Sequence, residues 1–243
     1  MTRASYSSTS QAVPLDKYGF NAIARQITMA ILTAALLFFG AGTLDWRWGW
    51  VFSIVYFIGW AGLSIAVARL NPELLNQRGK RTRQMKGTKL WDWVLLSIYS
   101  ILIIAQPFIA GLDVRYGWSS PVDTWVAVLG NLLTLLAFAI LTWSMVANRF
   151  FEATVRIQEQ RGHQVVTTGP YRYVRHPGYV GIISMFITMP LALGTWGALV
   201  PGAIGVVIYL IRTALEDRTL QAELPGYADY AQRTRYRLLP GVW

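Results

Sequence analysis

The stretch PGYVGIISMFITMPLALGTWGALVPGAIGVVIYLI, residues 177–211, contains no charged side chain. As one helix it would be roughly 50 Å long at about 1.5 Å per residue. That is too long for a single crossing of about 30 Å of hydrocarbon. Pro190, Gly194, Gly197, Pro201 and Gly202 gather in its middle, where a helix is easily broken because proline lacks an N–H. The stretch therefore reads as a helical hairpin, with a turn near 194–197 and two rather short arms. Both of its ends must then emerge on one side of the membrane.

Working outward, the charges punctuate the rest of the chain. Residues 26–44 are uncharged between Arg25 and Asp45, and 48–68 between Arg47 and Arg69. Residues 93–112 lie between Asp92 and Asp113, and 124–148 between Asp123 and Arg149. Each is close to the ~20 residues that a spanning helix needs. The chain is expected to be an all-α, polytopic membrane helix bundle: four spans, the C-terminal hairpin and a cytoplasmic C-terminal helix. Composition agrees, because only 14% of the 243 residues are charged, against about a quarter in soluble domains. Eleven Trp and twelve Tyr suit interfacial anchoring. Cysteine is absent, which excludes disulfides, thiol catalysis and cysteine metal sites.

Lys and Arg set the orientation. With the N-terminus inside, only Arg47 and Arg115 of the 22 basic residues fall outside. The net charge of +10 therefore reads as topogenic rather than as a nucleic-acid footprint, since the basic run 69–89 joins two spans. Such a run also attracts anionic lipid by ~1 kcal/mol per residue near the surface. Residues 1–20 are Ser/Thr-rich without an apolar core. They read as a mobile cytoplasmic tail, not a signal peptide. Residues 21–157 would hold the four spans with a basic cytoplasmic loop at 69–90, and 158–243 the chemistry.

The segment after the fourth span departs from hydrophobic logic. It carries both histidines, His163 and His176, a spacing too poor in ligands for a metal site. Val165-Val166-Thr167-Thr168 favours an extended segment, and Gly169-Pro170 turns the chain. Pro177 suits the first turn of the following helix. Open backbone N–H groups at that positive helix end, beside Arg175 and His176, are expected to favour a carboxylate. At the far end of the hairpin Arg212 and Glu216 share one helical face, with a mutual salt bridge as the bland alternative. A hairpin would bring that face beside His176 and Tyr179, forming a cleft half in lipid and half in water.

Together these residues resemble a known family. The run Gly162-His163-x-Val165-Val166-Thr167-x-Gly169-Pro170-Tyr171-x-x-x-Arg175-His176-Pro177-x-Tyr179-x-Gly181 is similar to the signature of isoprenylcysteine carboxyl methyltransferases and related phospholipid methyltransferases. Arg212-x-x-x-Glu216-Asp217-x-x-Leu220 and Tyr227-x-x-Tyr230 resemble its second half. The resemblance implies an integral membrane enzyme using S-adenosyl-L-methionine on a lipophilic or lipidated acceptor among membrane lipids, with an isoprenylcysteine-type carboxylate favoured. It implies that Gln158, His163, Gln164, Val165, Val166, Tyr171, His176, Pro177, Gly178, Tyr179 and Glu216 line the cofactor pocket. Arg212 would be the catalytic, substrate-facing arginine. Two positions depart from the family: Asp217 replaces the second of a usual pair of glutamates, and Leu224-Pro225-Gly226 replaces a Phe-Gly.

Two rivals are kept. Tyr236-Arg237-Leu238-Leu239-Pro240-Gly241 is similar to the ending of NADPH-dependent membrane sterol reductases. A non-catalytic scaffold or transporter would also fit the hydrophobic pattern, but a transporter is expected to carry ionisable residues inside its spans. Here charges gather at the cytoplasmic mouth instead.

Overall fold

A computed structural model describes residues 13–80 and 87–243 of the chain. Residues 1–12 of the expected tail and 81–86 of the expected basic loop lie outside the described residues. Among the described residues there are eight α-helices and no strand. They are α1 (Lys17–Ala41), α2 (Arg47–Leu70), α3 (Pro72–Gly79), α4 (Leu90–Tyr116), α5 (Thr124–Ala147), α6 (Pro177–Leu193), α7 (Leu199–Glu223) and α8 (Tyr227–Arg233). By length and composition α1, α2, α4, α5 and α7 can each cross a membrane, while α6 is a shorter apolar helix of 17 residues. The protein is a polytopic helical membrane bundle.

The spans run beyond the uncharged stretches that announced them. α1 begins at Lys17, inside the segment expected to be a tail, because Asp16 caps it. The Asp16 carboxylate accepts from the N–H groups of Tyr18 (2.8 Å) and Gly19 (3.0 Å), satisfying two of the orphan donors of the first turn. Asn76 on α3 holds the same corner, accepting from Asp16 N at 2.9 Å and donating to Pro14 O at 2.9 Å.

The hairpin exists, and it breaks where backbone freedom is greatest. α6 ends at Gly194 with φ +73°, a left-handed conformation that glycine adopts without steric cost. Pro190 lies within α6 rather than at the break. Its missing N–H leaves Phe186 O, four residues earlier, without its helical partner. Gln106 of α4, buried at 2% exposure, donates its Nε2 to that carbonyl at 2.8 Å and to Ala198 O at 3.3 Å. A side chain of the neighbouring helix thus replaces a backbone donor, as the interior of a membrane requires. At the turn, Asp113 accepts from Ser119 N (2.8 Å), Ser119 Oγ (2.6 Å), Gly197 N (2.8 Å) and the Thr195 hydroxyl.

What fixes α6 sideways is its contact with α5. A Cβ on Gly130 would stand 2.4 Å from Ala192 N, and one on Gly181 would stand 2.8 Å from Ala137 O. The two helices meet backbone to backbone, the small-residue packing that serves where burial from water cannot drive association. Thr134 and Thr188 add a hydroxyl pair at 2.9 Å across the same seam. The N-terminus of α6, with His176 and Tyr179, is held in place by this packing.

Candidate functional site

Between α5 and α6 the chain runs as irregular loop with two short 3-10 turns, Glu159–Arg161 and Gly169–Arg172. The expected extended segment at 165–168 pairs with no strand. Gln158, 3% exposed, donates Nε2 to Phe150 O at 2.8 Å and accepts from Arg161 Nη1. Its backbone N–H donates to His163 Nδ1 at 3.3 Å. The ring of His163 lies against Phe150, centroids 4.6 Å apart. Burial, then the charges of Arg161 and Arg156, lower the His163 pKa to about 4. His163 is therefore a neutral imidazole at pH 7 with Nδ1 accepting.

Tyr171, in the second 3-10 turn, is buried, and burial raises its phenol. Its hydroxyl accepts from Asn148 Nδ2 at 3.2 Å. Its carbonyl accepts from the Tyr230 hydroxyl at 2.7 Å, which attaches α8 to this turn.

Around the start of α6 the polar groups converge on one carboxylate. Asp217, with no exposed surface, accepts a fork from Arg175, Nε to Oδ1 at 2.7 Å and Nη2 to Oδ2 at 2.9 Å. Arg237 Nε (2.9 Å), Gln221 Nε2 (2.8 Å) and the Tyr227 hydroxyl (3.1 Å) also donate to it. His176 Nε2 lies 3.3 Å from its Oδ1. Arg175 Nη1 continues to Thr234 O (2.9 Å) and Arg235 O (2.8 Å). Asp217 is thus the knot that ties α6, α7, α8 and the C-terminal segment together. The short side chain of Asp217 fits this role, because its oxygens lie within the crowd of donors.

Backbone N–H groups at this corner that were expected to favour a carboxylate have protein partners: those of Arg175 and His176 donate to Tyr236 O and Arg237 O, each at 2.9 Å, and that of Tyr179 in the first turn of α6 to His176 O at 3.0 Å. A C-terminal segment folding back over α6 was invisible in local sequence.

The return of α7 brings Arg212, Glu216 and Asp217 to the end of the bundle where His176 and Tyr179 begin. Glu216 accepts from the Tyr179 hydroxyl. Arg212 does not pair with Glu216, although the two share a helical face. It donates Nε to Asp92 Oδ1 at 2.8 Å and Nη2 to Ala153 O at 2.7 Å. Its guanidinium lies over the rings of Tyr179 (5.2 Å) and Tyr209 (5.7 Å).

Two cavities meet here. The first encloses about 760 Å³ with its open mouth included, within the range of small-molecule sites, ~300–1,000 Å³. Gln158, His163, Gln164, Val165, Val166, Tyr171, His176, Gly178, Tyr179 and Glu216 all line it. Of the residues predicted for a cofactor pocket, Pro177 alone does not; it starts α6. Sequence reasoning missed Phe150, Glu152, Leu224, Tyr227 and Tyr230, which share the wall. Glu152, on that wall, accepts from Arg156, Nε at 3.0 Å and Nη2 at 2.7 Å.

The second cavity, about 910 Å³, is lined mainly by apolar and aromatic side chains of α2, α4, α5, α6 and α7, with Arg212 and Arg78 at its polar end. Phe151, Glu152 and Tyr179 belong to both walls. A third, about 1,420 Å³, continues it between α1 and α4, sharing Tyr56, Trp60, Arg78, Leu96, Tyr99, Ile103 and Ala153. The structure therefore places Arg212 on the apolar side of Tyr179 and Glu216 on the polar side.

Fold and site define a polytopic membrane protein with a ligand-sized polar cavity at one end of its bundle, opening beside an apolar cavity at the depth of its spans. Residues 128–222, which take in most of α5, the loop after it, α6 and most of α7, match the model of the isoprenylcysteine carboxyl methyltransferase (ICMT) family. The chain is also similar to the cobalt-zinc-cadmium resistance protein CzcN of Cupriavidus metallidurans, 33% identical over 130 residues. That match covers 49% of this chain and 53% of CzcN; the chain spans about half the length of this relative.

Proposed function

We propose that this protein is an S-adenosyl-L-methionine-dependent methyltransferase that esterifies a carboxylate on a lipophilic acceptor, of the isoprenylcysteine type or a related lipid acid. The observation that carries the reading is the shared wall at Tyr179. On one side lies a polar cavity lined by the motif residues, on the other an apolar cavity with an arginine at its polar end.

The residues of the first cavity fit a nucleoside amino acid. Glu216 offers a carboxylate for an ammonium or for ribose hydroxyls. Val165, packed with Leu224, Tyr227 and Tyr230, offers an apolar and aromatic wall for a base. Neutral His163 adds no charge to repel a cation. The bound donor would supply an electrophilic methyl on a sulfonium.

The acceptor side is the task of this chain's own groups. A carboxylate is ionised at neutral pH, so no general base is assigned. Arg212 would orient it by hydrogen bonds, with the apolar cavities holding its chain. Alignment at near-attack distance and exclusion of water are what such a displacement needs, and the packed aromatic rings of Tyr179 and Tyr209, 5.1 Å apart, serve both. The Lys and Arg bias supports placing the site and both termini at the cytoplasmic face.

Calorimetric titration of the purified protein with S-adenosylhomocysteine and with NADPH tests the reading. Binding of the first, lost on Glu216→Ala and His176→Ala, is expected. Retained affinity in both variants, or binding of NADPH instead, refutes it.

A further inference from the structure

Asp92 stands at the edge of a predicted span, where a charge ordinarily marks the water interface, yet it has no exposed surface. Its Oδ1 accepts from Arg212 Nε at 2.8 Å and its Oδ2 from Val155 N at 2.7 Å. Arg212 is itself 3% exposed, with Nε on Asp92, Nη2 on Ala153 O and its guanidinium over the rings of Tyr179 and Tyr209. The arginine that faces the apolar cavity is thus turned by Asp92 and also neutralised by it.

We propose that Asp92 is a positioning residue for the acceptor: it aims Arg212 and cancels its net charge, so that a carboxylate is oriented without being over-stabilised. This deepens the carboxylate reading above and rests on it. In the transfer, a carboxylate oxygen forms the new bond to the methyl carbon while the carbon–sulfur bond breaks and its electron pair stays on sulfur. The sulfonium becomes a thioether, the carboxylate becomes an ester, and no proton moves. The negative charge on the acceptor therefore shrinks towards the transition state. A bare guanidinium would hold the reactant more tightly than the transition state, and binding of that kind slows the chemical step. An Arg–Asp pair keeps the direction of the hydrogen bond and removes most of the excess attraction.

Asp92 lies outside the segment matched by the family, on α4, and its pairing with residue 212 is a product of this chain's own packing. The test uses the full chain in nanodiscs with a labelled methyl donor and S-farnesylthioacetate, a farnesyl thioether bearing a carboxylate. Asp92→Asn keeps an acceptor for Val155 N but leaves Arg212 a net cation. The expected result is a split: KM for the acceptor and kcat both fall, each by about three- to thirtyfold, with S-adenosylhomocysteine affinity unchanged. A purely structural role would raise KM or weaken the nucleotide instead, and either outcome overturns the proposal, as does an Asn variant with wild-type constants. Should Asp92→Asn fail to fold, Asp92→Glu decides: with the charge kept, kcat falls from misalignment and KM does not fall, and a lower KM overturns the idea. A wild type that binds S-adenosylhomocysteine but methylates no carboxylate refutes the carboxylate reading and this inference together; an active wild type without the split refutes the inference alone.

Discussion

Replacing Asp217 by Asn tests the view that one buried carboxylate assembles the end of the bundle where the cavity lies. The substitution keeps size and shape but deletes the charge that Arg175 and Arg237 share. Arg175 is 7% exposed, so after the change a buried cation faces only amides and carbonyls. Breaking a buried pair in this way typically costs about 3–5 kcal/mol. The side chain of Arg237 is 30% exposed and is free to turn to water, so Arg237→Ala is expected to cost about 1 kcal/mol or less. At roughly 2–4 °C per kcal/mol for a chain of this size, the Asn variant melts about 10 °C below the wild type and the Arg237 variant within ~4 °C of it.

The assay is thermal unfolding in detergent, followed by size-exclusion of the soluble fraction, alongside titration with S-adenosylhomocysteine. Asp217→Asn also loosens His176, whose Nε2 lies 3.3 Å from the carboxylate, so nucleotide affinity falls with stability. The companion Arg175→Met removes the stranded cation, and the double variant should recover at least ~2 kcal/mol of the summed single losses, as expected for directly paired groups. If Asp217→Asn and Arg237→Ala shift the melting point equally, or the double variant is simply additive, the carboxylate is not the knot described here.

Three further outcomes are expected. The His163 imidazole, lowered to about 4 in the folded protein against ~6.5 when unfolded, leaves the unfolded chain holding more protons between those values; stability is therefore full above pH ~6.5, falls as pH drops to about 4, and His163→Gln removes that slope in pH-dependent melts. Gln106→Leu strands Phe186 O in an apolar interior at a cost of about 1–3 kcal/mol, and adding Pro190→Ala, which restores the missing helical N–H, should recover part of the loss; no recovery would mean that Gln106 matters for another reason. Because the chain has no cysteine, single cysteines report orientation cleanly: a membrane-impermeant maleimide applied to intact cells should label Trp118→Cys, 60% exposed in the wild type, and spare Arg172→Cys until the cells are lysed, with the reverse pattern inverting the proposed topology.

The spans were legible because a charge at membrane depth is expensive, so the gaps between charged residues outline the helices. Their ends were not: Asp16, inside the expected tail, caps α1 ten residues before the uncharged stretch begins, and Asp113, which looked like a boundary charge, is buried at 2% exposure beneath the hairpin turn. The motif between His163 and Tyr179 and Glu216 on α7 line the polar cavity, because a contiguous motif keeps its residues on one stretch of loop and helix start. Pro177 was carried along by its position in the motif, although what it does is start a helix.

Sequence by itself therefore determined a helical membrane bundle, a hairpin returning to its starting side, and the lining of a cavity, because each depends on local apolarity, on backbone-breaking residues or on a contiguous motif. Only the tertiary structure decided who pairs with whom. Arg212 and Glu216 stand one helical turn apart and look like partners, but Arg212 bonds Asp92, 120 residues away, and Glu216 bonds Tyr179. The physical reason is that a buried charge takes whichever opposite charge the packing of α4 against α7 brings within reach, and that contact is set by helix crossing in space, which no local pattern along the chain encodes.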